Sequence, residues 1–136
     1  MTLQTYKFIS LSLAVIFGAV GLAFLFFGAP ILEVFNAISA SVGMKEGLVV
    51  GTGFYVVLAV AYMYLVALLA YLMYRNPERH EYPFLLMNGK LASAVISFGL
   101  FLAVQPLLIY LANGVIDGSI GVLAMMMYRR AKRGHL

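Results

Sequence analysis

Long apolar stretches separated by short polar segments set the pattern of this chain. Residues 8–27 hold twenty positions without a charge, which at ~1.5 Å per residue matches a ~30 Å hydrocarbon core. That run is too long for the apolar part of a cleaved signal sequence. Its small-residue exit, Gly28 and Ala29, is followed at once by Pro30, so it is expected to stay as a helix. In residues 30–42 the apolar positions Ile31, Phe35, Ile38 and Val42 recur at helical spacing, with Glu33, Asn36 and Ser39 between them. Pro30 suits a first turn and Gly43 an end, which predicts a short amphipathic helix at the interface, too short to span.

Residues 47–74 are again free of charge for twenty-eight positions, longer than a bilayer needs, and predict a tilted or projecting second span. Tyr55, Tyr62, Tyr64, Tyr71 and Tyr74 lie along it. The last two fit an interfacial belt, whereas Tyr62 and Tyr64 fall deep and need partners for their hydroxyls. The polar segment RNPERHEY at 75–82 follows, and Pro83 then fits the first turn of a third helix, with Glu78 and Glu81 near its positive end. From 84 to 128 there are forty-five residues with little polar interruption, about twice the length of a crossing. A break at Gln105 and Pro106 leaves two adequate spans, 83–104 and 107–128. A break at Asn113 and Gly114 would leave one half too short and put the basic tail on the wrong side.

Composition supports the same picture: 64% of residues are hydrophobic and 10% charged, more apolar than a soluble domain of this size can hide. The net charge of +4 does not point to nucleic acid, because the basic residues sit at the ends of apolar runs. With four spans, Lys7, Arg75, Arg79, Arg129, Arg130, Lys132 and Arg133 share one side, with Lys90 just inside it. Lys45 stands alone on the other. That asymmetry predicts a multi-pass membrane protein with both termini cytoplasmic. The expected fold is an all-α integral membrane protein, a single four-transmembrane-helix bundle with the interfacial helix between the first two spans. The tail 129–136 carries the topology anchor Arg129, Arg130, Lys132 and Arg133, for which anionic lipid headgroups are the candidate partner.

Candidate chemistry is confined to the last two spans. Lys90 lies ~10 Å and Asp117 ~16 Å from the cytoplasmic ends of their helices. Burying either charge costs ~2.5–3.5 kcal/mol on insertion scales, so each needs a partner or must be neutral. Helical side chains lean toward the N-terminus of their own helix, which in an antiparallel pair points Lys90 to the cytoplasm and Asp117 away from it. Snorkelling of Lys90 is therefore expected ahead of a direct Lys90–Asp117 pair. Asn113 precedes Asp117 by one turn, and Gly114, Gly118 and Gly121 line the same side. The third span offers Gly89, Ser93 and Ser97 at four-residue intervals, with Asn88 beside them, and the serine hydroxyls are candidate donors to Asp117. Gly18 and Gly21 in the first span, and Gly47 and Gly51 in the second, make similar small faces suited to close packing, within the chain or with a partner.

The chain has no cysteine, which removes disulfides, thiolate metal sites and cysteine nucleophiles. Its two histidines, His80 and His135, fall in the polar segment and the tail, so they cannot hold a haem across the bundle. No cofactor and no catalytic set is expected. The leading expectation is a non-catalytic accessory or structural subunit, packed in the lipid bilayer against other membrane protein subunits or against itself. The alternative is a small proton- or ion-coupled transporter or channel that uses the Asp117/Lys90 polar cluster.

Overall fold

The computed structural model describes residues 1–47 and 53–134. Residues 48–52 of the expected second span, Gly51 among them, and His135 thus lie outside the described residues. Four helices follow in order: α1 Leu3–Ser41, α2 Gly53–Arg75, α3 Glu81–Ala103 and α4 Leu108–Lys132. All four are long and apolar enough to cross a membrane, as in a multi-pass membrane protein. α1 packs mainly on α2 and α3 mainly on α4, while α2 meets α3 over less surface and α1 meets α4 over the least. The bundle is thus two antiparallel hairpins laid side by side.

The first helix bends where the sequence places the end of the first span. The segment 30–42 is helical and is set off from the first span by a kink at Phe27, whose backbone (φ −130°, ψ 25°) leaves the helical region, so α1 is two helical arms joined there. Pro30 is the cause, since it lacks an N–H and its ring presses on the carbonyl one turn earlier. In this second arm Ile31 and Phe35 are half-buried and Ser39 is buried, whereas Ile38 and Val42 face outward. α1 then closes on Gly43 at φ 70°, where the Met44 N–H donates to the Ser39 carbonyl and the Gly43 N–H to that of Ala40. That left-handed cap favours glycine.

Gly47 is not helical, although a second span starting there was expected. The Asn36 side chain clamps it instead: Asn36 Nδ2 donates to the Gly47 carbonyl and the Gly47 N–H donates to Asn36 Oδ1, both at 2.8 Å. At the other end of the chain, α4 extends through Lys132. Arg129, Arg130 and Lys132 therefore form its last turn, where cations meet the negative end of the helix, rather than the start of a loose tail. Gln105 and Pro106 lie in the tight link between α3 and α4.

The packed core gathers around residues at helical spacings of seven, four and three, Tyr6, Leu13 and Phe17 on α1 and Val66, Ala70 and Met73 on α2, closed by Leu86, Ala124 and Met127. At that end Lys7 stands over the Tyr74 ring at 6.0 Å and His80 beside Tyr128 at 6.1 Å. At the opposite end Lys45 bridges Leu107. Phe8, Val15, Leu22, Phe26, Val95 and Leu102 are all more than half exposed, an apolar surface of the kind a bilayer covers.

Candidate functional site

Small residues bring α3 and α4 together. A Cβ on Gly121 would lie 2.7 Å from Leu91 Cδ2 and 3.3 Å from the Leu91 backbone nitrogen. One on Gly114 would lie 3.0 Å from the Phe98 ring, and one on Gly118 3.7 Å from Ala94 Cβ. The helices touch at a distance that a side chain would prevent, the small-residue packing known from membrane helices. Gly21 works in the same way against Met63 at 3.0 Å, whereas Gly18 faces open space. Gly89 points at the Tyr62 hydroxyl, 3.9 Å from its notional Cβ, and so belongs to the α2–α3 contact.

This approach joins Lys90 to Asp117. Lys90 Nζ donates to Asp117 Oδ1 at 2.8 Å, and the two side chains are 1% and 3% exposed. The expectation that Lys90 would snorkel is therefore overturned. The cause lies in the first hairpin: the ammonium sits 4.6 Å from the centre of the Phe17 ring and 5.0 Å from that of Tyr62. The two rings close the path outward and face the cation with their negative π-clouds. All four helices thus meet at one atom, with Phe17 from α1, Tyr62 from α2, Lys90 from α3 and Asp117 from α4.

The remaining polar candidates divide. Asn113 Nδ2 donates to Ser93 Oγ at 3.2 Å and to Ser97 Oγ at 2.8 Å. The serines therefore serve Asn113 rather than donating to Asp117 as expected. Asn88 stands apart, exposed, with its amide donating to the Phe84 carbonyl at 2.8 Å. Arg129, Arg130, Lys132 and Arg133 are exposed and far along α4 from the pair. Asp117 Oδ2 is buried and has no hydrogen-bond partner among the described residues, and neither has the Tyr62 hydroxyl. Tyr64, also expected to be deep, is 70% exposed. Its hydroxyl is therefore not buried.

A cleft of about 320 Å³ opens between α1 and α4, walled by residues such as Phe24, Phe35, Ile109 and Ala112, with Lys90, Asn113 and Asp117 at its polar end. Ile16 and Ile116 line it and are 53% and 56% exposed, so the cleft reaches the outer surface of the bundle. Among the described residues no group of three His, Cys, Asp or Glu side chains could hold a metal ion. Phe17 carried no signal in the sequence beyond its place in an apolar run. Tyr62 did, as a deep hydroxyl in want of a partner. Comparison with known proteins finds no family model, no curated protein and no solved structure that matches this chain.

Proposed function

We propose that the four helices cross the bilayer and that the protein is a small proton- or ion-coupled transporter working through Lys90 and Asp117. The supporting observation is a completely buried ion pair at the end of an open cleft, with one carboxylate oxygen bound and the other free. Ionisable residues at such depth are costly and mark sites of function in membrane proteins. A proton arriving at Oδ2 neutralises Asp117 and leaves the Lys90 ammonium without its counter-charge, its bond to Oδ1 reduced to one with a neutral carbonyl oxygen. That weakens the joint shared by all four helices, so proton uptake is linked to a change in how the hairpins pack.

The accessory-subunit reading drew on the glycine faces, but Gly21, Gly114, Gly118 and Gly121 have their contacts within the chain. Its remaining support is the nearly all-apolar chain and the open faces at Gly18 and Gly99. Reconstituted vesicles with a trapped pH dye test the transporter reading. Coupled flux should fall at least tenfold in Asp117→Asn, and flux unchanged by that substitution rules the role out. A silent wild-type protein that extracts with other chains would instead favour the subunit.

We further propose that both termini and the segment 75–82 face the cytoplasm, from the bias of Lys and Arg toward that end. The natural chain lacks cysteine, so single cysteines can report on each side. In intact cells an impermeant maleimide should label Lys45→Cys and spare Glu78→Cys, and the reverse pattern inverts the topology.

A further inference from the structure

We infer that the cleft between α1 and α4 takes up a neutral, hydroxyl-bearing apolar molecule from the bilayer, with its hydroxyl donating to Asp117 Oδ2. This rests on the transporter reading in treating that molecule as the cargo. Four observations lead to it. The walls are almost wholly hydrocarbon and aromatic, with Phe24, Phe35 and Ile109 among them. At about 320 Å³, the space is roughly ten times the ~30 Å³ share of one liquid water and falls at the small end of ligand pockets. It lies along the seam where α1 and α4 touch least, and the exposed Ile16 and Ile116 place its mouth on the apolar flank rather than at an end of the bundle.

The fourth observation chooses the headgroup. At the polar end the Asn113 amide is engaged by Ser93 and Ser97, and Lys90 is held by Asp117 and the two rings. The free valence is an acceptor, Asp117 Oδ2, buried and without a partner among the described residues, so an occupant reaches it by displacing the side chains that cover it. An occupant must therefore donate, which disfavours ethers, esters and ketones, since they would leave that oxygen unpaired. The Lys90–Asp117 pair is already neutral as a unit. An ammonium would bring an uncompensated positive charge into a low-dielectric site, and an anion would meet the carboxylate. A hydroxyl meets the acceptor at no cost in charge.

Equilibrium dialysis of radiolabelled geraniol against the purified full-length protein in lipid nanodiscs tests this, with empty nanodiscs as the partition control. Saturable binding is expected, with competition by geraniol methyl ether and by geranylamine each at least tenfold weaker than by unlabelled geraniol. Ala112→Leu, which narrows the cleft, should weaken binding at least tenfold, while Ala19→Leu on the exposed flank of α1 should leave it unchanged. The inference is overturned by an absence of saturable binding, by an ether or amine that competes as well as the alcohol, or by full binding to Ala112→Leu. The probe series needs no variant, so it stands even if a substitution disturbs folding. Dialysis reads no flux: saturable binding without coupled transport removes the transporter reading alone, and coupled transport without binding removes this inference alone.

Discussion

The two hairpins of this protein differ in apolar character, with a mean hydropathy of 2.4 in α1 and α2 against 1.6 in α3 and α4, and they differ in what joins them. α3 and α4 are held by chemistry: an ion pair at 2.8 Å, an amide shared between two serines, and three glycines that let the backbones close in. α1 and α2 meet through shape, with Gly21 on Met63 and Gly28 on Val56, and with aliphatic and aromatic residues along the rest of the contact. Between lipid-covered helices apolar contact gives little preference for one register over another, because lipid tails are as apolar as leucine. Directional bonds do give a preference. The second hairpin is therefore specified residue by residue, while the first is specified by fit and by the Asn36 clamp on Gly47. The contrast is joined at Lys90, where the rings of the apolar hairpin cover the charge of the polar one.

The sharpest way to break this comparison is to remove half of the ion pair. Lys90→Met alone leaves a buried carboxylate without its cation and should cost about 3–5 kcal/mol, as should Asp117→Leu. The double substitution should recover at least half of that, read from unfolding in mixed micelles; simple addition of the two costs would show that the pair is not a unit. Next in size, Gly121→Ala drives a methyl into Leu91 and should cost about 1–3 kcal/mol. Gly18→Ala, which meets open space, should be neutral or add up to ~1 kcal/mol through helix propensity. Equal effects at the two sites would erase the difference between the hairpins. Smallest, Asn113→Ala removes the bridge to Ser93 and Ser97 and should cost about 1 kcal/mol in the same assay. No measurable change there would leave the ion pair as the sole directional tie.

Much of the architecture can be read from the chain because it follows from local rules. Charge-free runs of bilayer length mark the helices, Gln105 and Pro106 fall in the α3–α4 link, and Gly43 ends α1 in the conformation glycine permits. The polar residues of the site, Lys90, Ser93, Ser97, Asn113 and Asp117, stand out because few others lie so deep. Their pairings were less legible. Whether Lys90 turns outward or inward depends on what the first hairpin sets against it, and Phe17 and Tyr62 are more than twenty residues away in sequence. Backbone geometry alone favoured the outward path; two rings and a carboxylate reversed it. The kink at Phe27 falls where the sequence ends the first span, three residues before Pro30. Pro30 can start a helix or bend one, and the difference rests on whether the preceding turn keeps its packing partners.

Lys90 also bears on how such a chain is made. If the helices cross the bilayer as proposed, α3 leaves the ribosome before α4, so the lysine reaches the membrane ahead of its carboxylate. A single helix carrying that charge is a poor candidate for insertion, at ~2.5–3.5 kcal/mol for the lysine alone. On that reading the close link at 104–107 would let α3 and α4 enter together as one hairpin with the charges already matched. The first hairpin, synthesised earlier and free of such a debt, can wait in the lipid with Phe17 and Tyr62 in place to receive it.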